Sequence, residues 1–400
     1  MTRDRSVFAV PLYIAALGLP LHANGSEMKN ADAPPLVMEA AYTGDAWRNV
    51  SGGLRRDDTY LDNIDVIATL DAERAFGWTG TTILISGLHN NRATLSDRIV
   101  GDIQTVSNID TDGATRLYEA WIERAFDGGA LKIGLIDLNS ELDVNETGAL
   151  FVNSSHGIGP DFSQVGENGP AIFPITGFGL LSRMDFSKRT ELRVAAFEAT
   201  VGDPNHPRRT KLDLESDEGA LLVAEVTFRP TDSTRSILGV WRHNGRASDL
   251  ADPDAYHRDE SIGLYALAEG TLLRVGEHSM NGFIRLGFAD AHVHQIARYQ
   301  GAGLVWSGPL LAESEREEQL GIAVAIITNG NPFRRVQSEL GSTFEQHETA
   351  VELTYRVQAT PWLALQPDVQ YIVNPGTDPT LDDAWVVGLR FELSWSSEPG

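Results

Sequence analysis

The chain has no cysteine and only four lysines among its 400 residues. The absence of cysteine excludes a disulfide framework and any thiolate chemistry. Nearly all of the 32 basic residues are therefore arginines, whose planar guanidinium suits forked hydrogen bonds to hydroxyl and carboxylate groups. Acidic residues number 56, and the formal net charge of −24 has the wrong sign for a nucleic-acid binder.

The chain also lacks an apolar run that could form a membrane helix. Two arginines precede an apolar run at 7–21, which two prolines interrupt, and the small residue Ala23 follows it. This pattern predicts a secretory signal peptide over residues 1–23, and the polar residues 24–38 are expected to form a flexible lead-in. An exported chain without another long apolar stretch can cross a membrane only with β-strands.

Apolar and polar residues alternate along most of the remaining chain. From Trp385 to Trp395, for example, large apolar side chains alternate with Val, Gly, Arg, Glu or Ser. A period of two places one set of side chains on each face of a sheet. About sixteen such segments occur, near 39–47, 62–72, 80–90, 114–125, 130–139, 174–184, 189–199, 219–229, 236–244, 259–270, 281–291, 298–307, 319–329, 346–357, 362–373 and 382–395. The pattern predicts an all-β fold.

The predicted connections fall into two classes, short ones after even-numbered strands and mostly longer ones after odd-numbered strands. Outer-membrane barrels have this asymmetry. The longest connection, residues 139–174, is rich in Gly and Pro, and its apolar side chains, among them Phe151, Phe162, Ile172 and Phe173, need a packing surface. We therefore predict a transmembrane antiparallel β-barrel of about sixteen strands over residues 39–395, with long extracellular loops. Residues 139–174 are expected to form a constriction loop in the lumen, and residues 396–400 a C-terminal tail.

One predicted strand carries a candidate sugar-binding wall. Glu119, Trp121 and Glu123 share one face, whereas Tyr118 is expected on the lipid-facing side. Sugars have apolar faces that stack on aromatic rings and hydroxyl edges that hydrogen-bond to carboxylates. The alternative is a lumen lining whose charges only neutralise one another.

A second aromatic and polar cluster lies in the first predicted strand. Thr43, Asp45 and Trp47 share a face, and Arg48 follows them. This cluster is either part of the pore wall or the end of a strand at the barrel rim.

Catalytic and metal-binding signals are weak. Asp110 and Asp112 begin a short acidic motif, but the later ligands of a calcium loop are missing. His292 and His294 share a face without a third ligand nearby, and the Ser-Ser-His run at 154–156 has no nucleophile-elbow context. No enzyme activity, metal or cofactor is predicted.

Several runs resemble the carbohydrate-selective porin family of the OprB type. They are AYTGDAWRNVSGGLRR (41–56), YLDNIDV (60–66), GDIQTVSNI (101–109), RLYEAWIE (116–123), DLNSELDVNETGALFVNSSHGIGPDFSQVGENGPAIFP (137–174) and WLALQPDVQYIVNPG (362–376). The resemblance implies a sixteen-strand barrel in the outer membrane of a Gram-negative bacterium, which passes sugars, glucose above all, and needs no cofactor. It also implies a third loop folded into the lumen and an aromatic residue at the end of the last strand, where Trp395 lies.

Three function classes remain open at this stage. The first is a porin for passive, selective diffusion of carbohydrates, the second a general, weakly cation-selective porin, and the third a secreted soluble binding protein or hydrolase. The residues expected to line the pore are Arg48, Glu119, Trp121, Glu123, Asp161, Gln164 and Glu167. The expected partners are mono- or small oligosaccharides, the lipid bilayer with its lipopolysaccharide, and the barrel-assembly machinery. The chain is expected to act as a monomer or small homo-oligomer.

Overall fold

The computed structural model describes residues 34–91, 93–166, 168–202, 219–245, 247–252, 257–258, 260–310 and 316–397, together with the dipeptides 12–13 and 20–21. Apart from those dipeptides, the proposed signal peptide lies outside the described residues. Most of the lead-in and residues 398–400 of the tail also lie outside them.

Sixteen antiparallel strands form a closed barrel. They are β1 (Leu36–Ser51), β2 (Asp58–Asp71), β3 (Thr81–Asn90), β4 (Thr115–Phe126), β5 (Gly129–Ile136), β6 (Gly177–Ser187), β7 (Thr190–Glu198), β8 (Ala220–Thr231), β9 (Thr234–His243), β10 (Ser261–Val275), β11 (His278–Ala289), β12 (Ile296–Ser307), β13 (Glu318–Asn329), β14 (His347–Thr360), β15 (Leu363–Val373) and β16 (Ala384–Ser396). Each strand pairs with the next, and β16 pairs with β1, where Arg390 lies opposite Asp45. The predicted fold class is therefore confirmed.

Helical segments and two short ribbons lie outside the sixteen strands. The α-helices are α1 (Ala72–Phe76), α2 (Pro160–Ser163) and α3 (Asn331–Glu339). Single π or 3-10 turns occur at Ser96–Val100, Leu138–Ser140, Gly148–Leu150, Ser154–His156 and Pro375–Thr377. Two-residue strands pair Leu12–Tyr13 with Pro20–Leu21 and Ala247–Ser248 with His257–Arg258. Among the described residues, no helix has the length and apolar character needed to cross a membrane.

The alternating sequence determines which face of the barrel each side chain occupies. On β16, Trp385, Leu389 and Trp395 are exposed on the outer surface, whereas Arg390 and Glu392 are buried on the inner one. Apolar side chains outside and charged ones inside are the arrangement that hydrocarbon requires, since charges on the lipid face cost about 2–4 kcal/mol near the midplane. The barrel thus has an apolar outer surface and a polar interior.

A β-bulge on β4 reverses the predicted orientation of one residue. Ile85 pairs with Ala120 while Gly87 pairs with Leu117, so Tyr118 and Glu119 together oppose one residue of β3. Tyr118, predicted to face lipid, is only 4% exposed. Its hydroxyl donates to Asp137 Oδ2 at 2.5 Å. The prediction for Tyr118 was wrong because strict alternation does not allow for an extra residue.

The connections confirm the two classes expected from the sequence. After β4, β6, β8 and β10 the chain turns within two residues, whereas residues 91–114 follow β3 and residues 137–176 follow β5. We call these long connections loop 2 and loop 3. The short-turn end of the barrel corresponds to the periplasmic side of outer-membrane barrels, and the loop end to the exterior.

The closure between first and last strands can be tested because the chain has no native cysteine. Ala41 on β1 lies opposite Ser394 on β16, and directly opposed Cβ atoms are about 4.5–5.5 Å apart. Ala41→Cys/Ser394→Cys should therefore form an intramolecular disulfide under mild oxidation, visible as a reducible gel-mobility shift after heat denaturation.

The matched control is Ala41→Cys/Val387→Cys, which joins the same two strands at positions that do not pair. It should remain unlinked. Crosslinking of the control but not of the first pair would contradict the register.

Candidate functional site

Loop 3 is held inside the barrel by carboxylates of the inner wall. Three buried glutamates on β8, β10 and β14 accept hydrogen bonds from its backbone N–H groups. Glu225 accepts from Asp143 at 2.7 Å, Glu269 from Glu146 and Thr147 at 3.1 and 2.6 Å, and Glu352 from Val152 and Asn153 at 2.6 and 3.0 Å. A buried backbone needs such partners in place of water. The loop therefore runs across the interior and not over the rim.

Arg285 on β11 joins two distant parts of loop 3. Its Nε and Nη2 donate to Asp143 at 2.9 and 2.5 Å, and its Nη1 donates to Asp161 at 2.6 Å. The guanidinium carbon lies 5.6 and 5.0 Å from the ring centres of Tyr265 and Tyr299. One buried cation thus bridges two buried carboxylates, which fixes the path of the loop between them.

A glycine allows this close approach. A Cβ atom at Gly287 on β11 would collide with the Asp161 carboxylate. The missing side chain therefore leaves the space in which loop 3 lies against the wall.

Loop 3 also packs against inward-facing aromatic side chains. Phe162 in α2 stacks on Trp241 with the ring planes 4° apart and the centres at 5.7 Å, and on Tyr265 at 5.5 Å. The Tyr299 hydroxyl donates to the Ser155 carbonyl at 2.6 Å. These contacts cover the aromatic faces of β9, β10 and β12.

Loop 2 lies beside loop 3 in the interior. Asn108 N donates to the Val152 carbonyl at 2.8 Å, and Ser154 N to the Thr105 carbonyl at 3.0 Å. Glu348 on β14 accepts from the backbone of loop 2, including Ile103 N at 2.9 Å. The two loops therefore stabilise each other inside the barrel.

The predicted sugar-binding wall on β4 lies at the base of loop 3. Glu119, Trp121 and Glu123 occupy the inward face. Trp121 Nε1 donates to Glu119 Oε1 at 3.2 Å, and the Lys132 ammonium lies 3.8 Å from the centre of the indole ring. Lys132 also pairs with Glu123 at 3.5 Å and with Glu141 of loop 3. Because Lys132 covers the indole, this ring is not open for sugar stacking.

The other predicted pore residues are not brought together as expected. Arg48 is exposed on the outer face of β1, because Trp47 and Asn49 on either side of it point inward. The inward placement of Arg48 was therefore wrong. Asp161 is buried against Arg285 and Gln164 is exposed on loop 3, while Glu167 lies outside the described residues.

Sequence reasoning missed the residues that hold the loop. The period of two in β8, β11 and β14 identifies Glu225, Arg285 and Glu352 as inward-facing. It gives no sign that each of them contacts loop 3, because those partners lie tens to hundreds of residues away in the chain.

The catalytic and metal motifs have structural roles here. Asp110 accepts from the N–H groups of Leu95 and Ser96 at 2.9 and 2.8 Å. Burial lowers the pKa of His156 to about 3, so that this imidazole is neutral at physiological pH. His294 contacts Ser261 Oγ at 3.1 Å. In the part of the chain that the structure describes, no three His, Asp or Glu side chains form a metal-binding group.

A cavity of about 980 Å³ lies between loop 3 and the short-turn end of the barrel. Loop 3 residues from Glu146 to Leu150 border it on one side, and turn residues such as Ser233 and Pro361 on the other. The interior therefore holds a solute-sized space on the periplasmic side of loop 3.

A closed sixteen-strand barrel with an apolar exterior, a charged interior and a loop seated inside it defines a porin of the outer membrane. The family described as "Carbohydrate-selective porin, OprB family" matches residues 55–395. The chain belongs to this family. It is a carbohydrate-selective porin of the outer membrane of a Gram-negative bacterium.

Similar proteins agree with this assignment. The chain is 25% identical over 392 aligned residues to "Porin B" of Pseudomonas aeruginosa, covering 88% of this chain and 86% of the relative. It is 22% identical to "Putative porin QuiX" of Acinetobacter baylyi, over 93% and 92% of the two chains. The fold resembles the high-pH structure of Pseudomonas putida OprB, with a TM-score of 0.80, 20% identity, and coverage of 90% and 94%.

The Arg285 bridge predicts the effect of its removal. Arg285→Met leaves Asp143 and Asp161 buried without their cation, which costs about 3–5 kcal/mol. Loop 3 should leave its seat, so that single-channel conductance rises and the unfolding temperature falls.

The triple variant R285M/D143N/D161N removes the buried charges together and should recover much of the wild-type stability. Arg242→Met, which breaks an exposed pair with Glu260, is the control. Wild-type conductance in folded R285M would show that the bridge does not hold the loop.

The stability of loop 3 in its position against the inner wall should also depend on pH. Burial raises the pKa of Asp143 from 3.8 to about 7, with Arg285 acting in the opposite direction. The Asp143 carboxyl thus binds a proton more tightly when loop 3 lies against the wall than when the loop is released. The stability of loop 3 in this position should increase as the pH falls through about 7 and level off below about 4. Single-channel recordings should show fewer loop-opening transitions at pH 5 than at pH 8.

Asp143→Asn removes this titration and is expected to weaken the dependence, while Asp161, whose pKa burial also raises, keeps part of it. An equally strong pH dependence in the Asn variant would assign it to another group.

Proposed function

We propose that the channel passes neutral mono- and small oligosaccharides such as glucose, and that loop 3 narrows the passage so as to select them. The observation that supports this is the position of loop 3, bound across the interior by Glu225, Glu269, Arg285 and Glu352. A narrow passage makes each solute exchange hydration for contacts with the wall. Those contacts need to be weak and replaceable for flux to continue.

Within this proposal the predicted pore residues take different roles. The Glu123 side chain is 26% exposed and Gln164 is exposed, so these two can meet a solute directly. Glu167 remains a proposed pore residue of loop 3. Glu119, Trp121 and Asp161 are buried, and we assign them to positioning Lys132 and loop 3.

The proposed partners follow from the location in the outer membrane. They are the bilayer with its lipopolysaccharide and the machinery that inserts barrels, and the working form is a monomer or small homo-oligomer. We assign no catalytic role and no cofactor, since passive diffusion requires neither.

A general, weakly cation-selective porin is the alternative. The formal net charge of −24 favours it, because an acidic protein attracts cations to its pore. The two proposals differ in whether sugars bind within the channel.

Ion current through the purified protein in a planar bilayer separates them. Saturable block of the current by glucose, but not by triethylene glycol, is expected for the sugar channel. Glu123→Gln should weaken the block by about 3- to 10-fold, which is the worth of one hydrogen bond. Glu260→Gln, at the exposed exterior pair, is the control and should leave the block unchanged.

Open channels that glucose does not block, with clear preference for cations, would assign the protein to the general class. In that case the sugar proposal fails although the barrel is intact.

A further inference from the structure

The cavity on the periplasmic side of loop 3 has the size and position of a second solute site. Its volume of about 980 Å³ falls at the upper end of small-molecule pockets. Its lining runs around the inner wall from β8 to β16, and loop 3 separates it from the exterior. A solute that has passed loop 3 meets this space before it reaches the periplasm.

The charges of the cavity disfavour an anionic solute. Carboxylates outnumber arginines among the described lining residues: seven carboxylates (Glu146, Asp232, Glu269, Glu277, Glu317, Glu318, Glu392) face five arginines (Arg229, Arg235, Arg316, Arg356, Arg390). The described lining includes no Trp, Tyr or Phe side chain on which the ring of a solute could stack. The groups present can donate to and accept from hydroxyls, which favours a neutral, hydroxyl-rich solute.

Arg356 on β14 has a donor that the protein leaves unused. Its Nη2 donates to Glu392 Oε2 on β16 at 2.9 Å. Its Nε is buried and has no hydrogen-bond partner within the described part of the chain, although the side chain lines the cavity. An unpaired buried donor costs about 1–3 kcal/mol. Because this atom is enclosed, a solute hydroxyl can satisfy it only after the Arg356 side chain shifts toward the cavity that it lines.

Neighbouring groups extend the same wall. Ser394 follows Glu392 on the same face of β16, two residues along the strand. Gln358 is related to Arg356 in the same way on β14, and its Oε1 lies 3.4 Å from Arg356 Nη2. Both side chains line the cavity. A charged pair with a hydroxyl and an amide beside it offers donors and acceptors spaced along one surface, as several hydroxyls of one sugar require.

We propose that Arg356, Glu392 and Ser394 form a second, low-affinity subsite for neutral polyhydroxylated solutes on the periplasmic side of loop 3. This subsite rests on the proposed sugar passage and adds a step to it. A solute leaves the narrow region beside loop 3, binds here through its hydroxyls and then escapes into the periplasm. Two weak sites in series allow selectivity without slow release.

The test uses the absence of cysteine in the wild-type chain. In Ser394→Cys, a small neutral methanethiosulfonate reagent should modify the single thiol in the cavity, and glucose should slow that reaction. At a glucose concentration of about twice the dissociation constant, the rate should fall about threefold. Ser187→Cys, at the exposed short-turn end of β6 and outside the cavity, is the matched control and should react at the same rate with or without glucose.

The contribution of the ion pair is measured in the same assay. Adding Arg356→Met and Glu392→Met to Ser394→Cys removes both charges and the hydrogen-bonding groups of this pair, and should abolish the protection. Arg356→Gln with Glu392→Gln keeps polar side chains of zero net charge and should retain part of it. If the Met variant does not assemble, the comparison of Ser394→Cys alone with Ser394→Cys carrying both Gln substitutions still shows whether the ion pair contributes to glucose protection.

Absence of glucose protection at Ser394→Cys, or equal protection by triethylene glycol, would overturn the subsite. This result is separate from the current-block experiment. If glucose blocks the current but does not protect the thiol, the sugar channel stands and only the second subsite is ruled out. If glucose protects the thiol but does not block the current, binding in the cavity stands and selection by a passage narrowed by loop 3 is ruled out.

Discussion

Backbone hydrogen bonding is the constraint on which the rest of this structure depends. Hydrocarbon offers no partner for N–H and C=O groups, so the strands have to form a closed cylinder, which β16 completes by pairing with β1. The same requirement applies inside the barrel. Several N–H groups of loop 3 are buried against the inner wall, and the carboxylates of Glu225, Glu269 and Glu352 take the place of water at them.

This constraint changes the meaning of the acidic composition. An excess of acidic residues at first suggests a pore lined with negative charge. In the structure, many inward carboxylates already have partners: Asp45 pairs with Arg390, Asp143 and Asp161 share Arg285, and Glu348 holds the backbone of loop 2. Such groups act on the protein itself, so the net charge is a poor guide to ion selectivity. The selectivity depends on the fewer groups that remain accessible to solute.

The sequence predicts the barrel well because the strand pattern is local. A period of two depends on neighbouring residues, and the segments it identified correspond to β1–β16 with shifts of a few residues at their ends. It failed at Tyr118, where a bulge adds one residue, and at Arg48, which was grouped with inward residues despite its opposite phase. The site was less predictable. Arg285 meets Asp143 across 142 positions, and no local pattern encodes such a contact.

The positions of the aromatic residues limit how this channel can recognise sugars. Stacking on an exposed ring is the usual apolar contact to a sugar face, but the inward rings described above are covered: Lys132 lies over Trp121, and Phe162 over Trp241. The rings therefore hold loop 3 and its base in place. Recognition then falls to hydroxyl contacts with charged pairs and amides such as Arg356, Glu392 and Gln358. These contacts exchange readily with water, so they can select solutes by the number and spacing of their hydroxyls while still allowing rapid release, as passive diffusion requires.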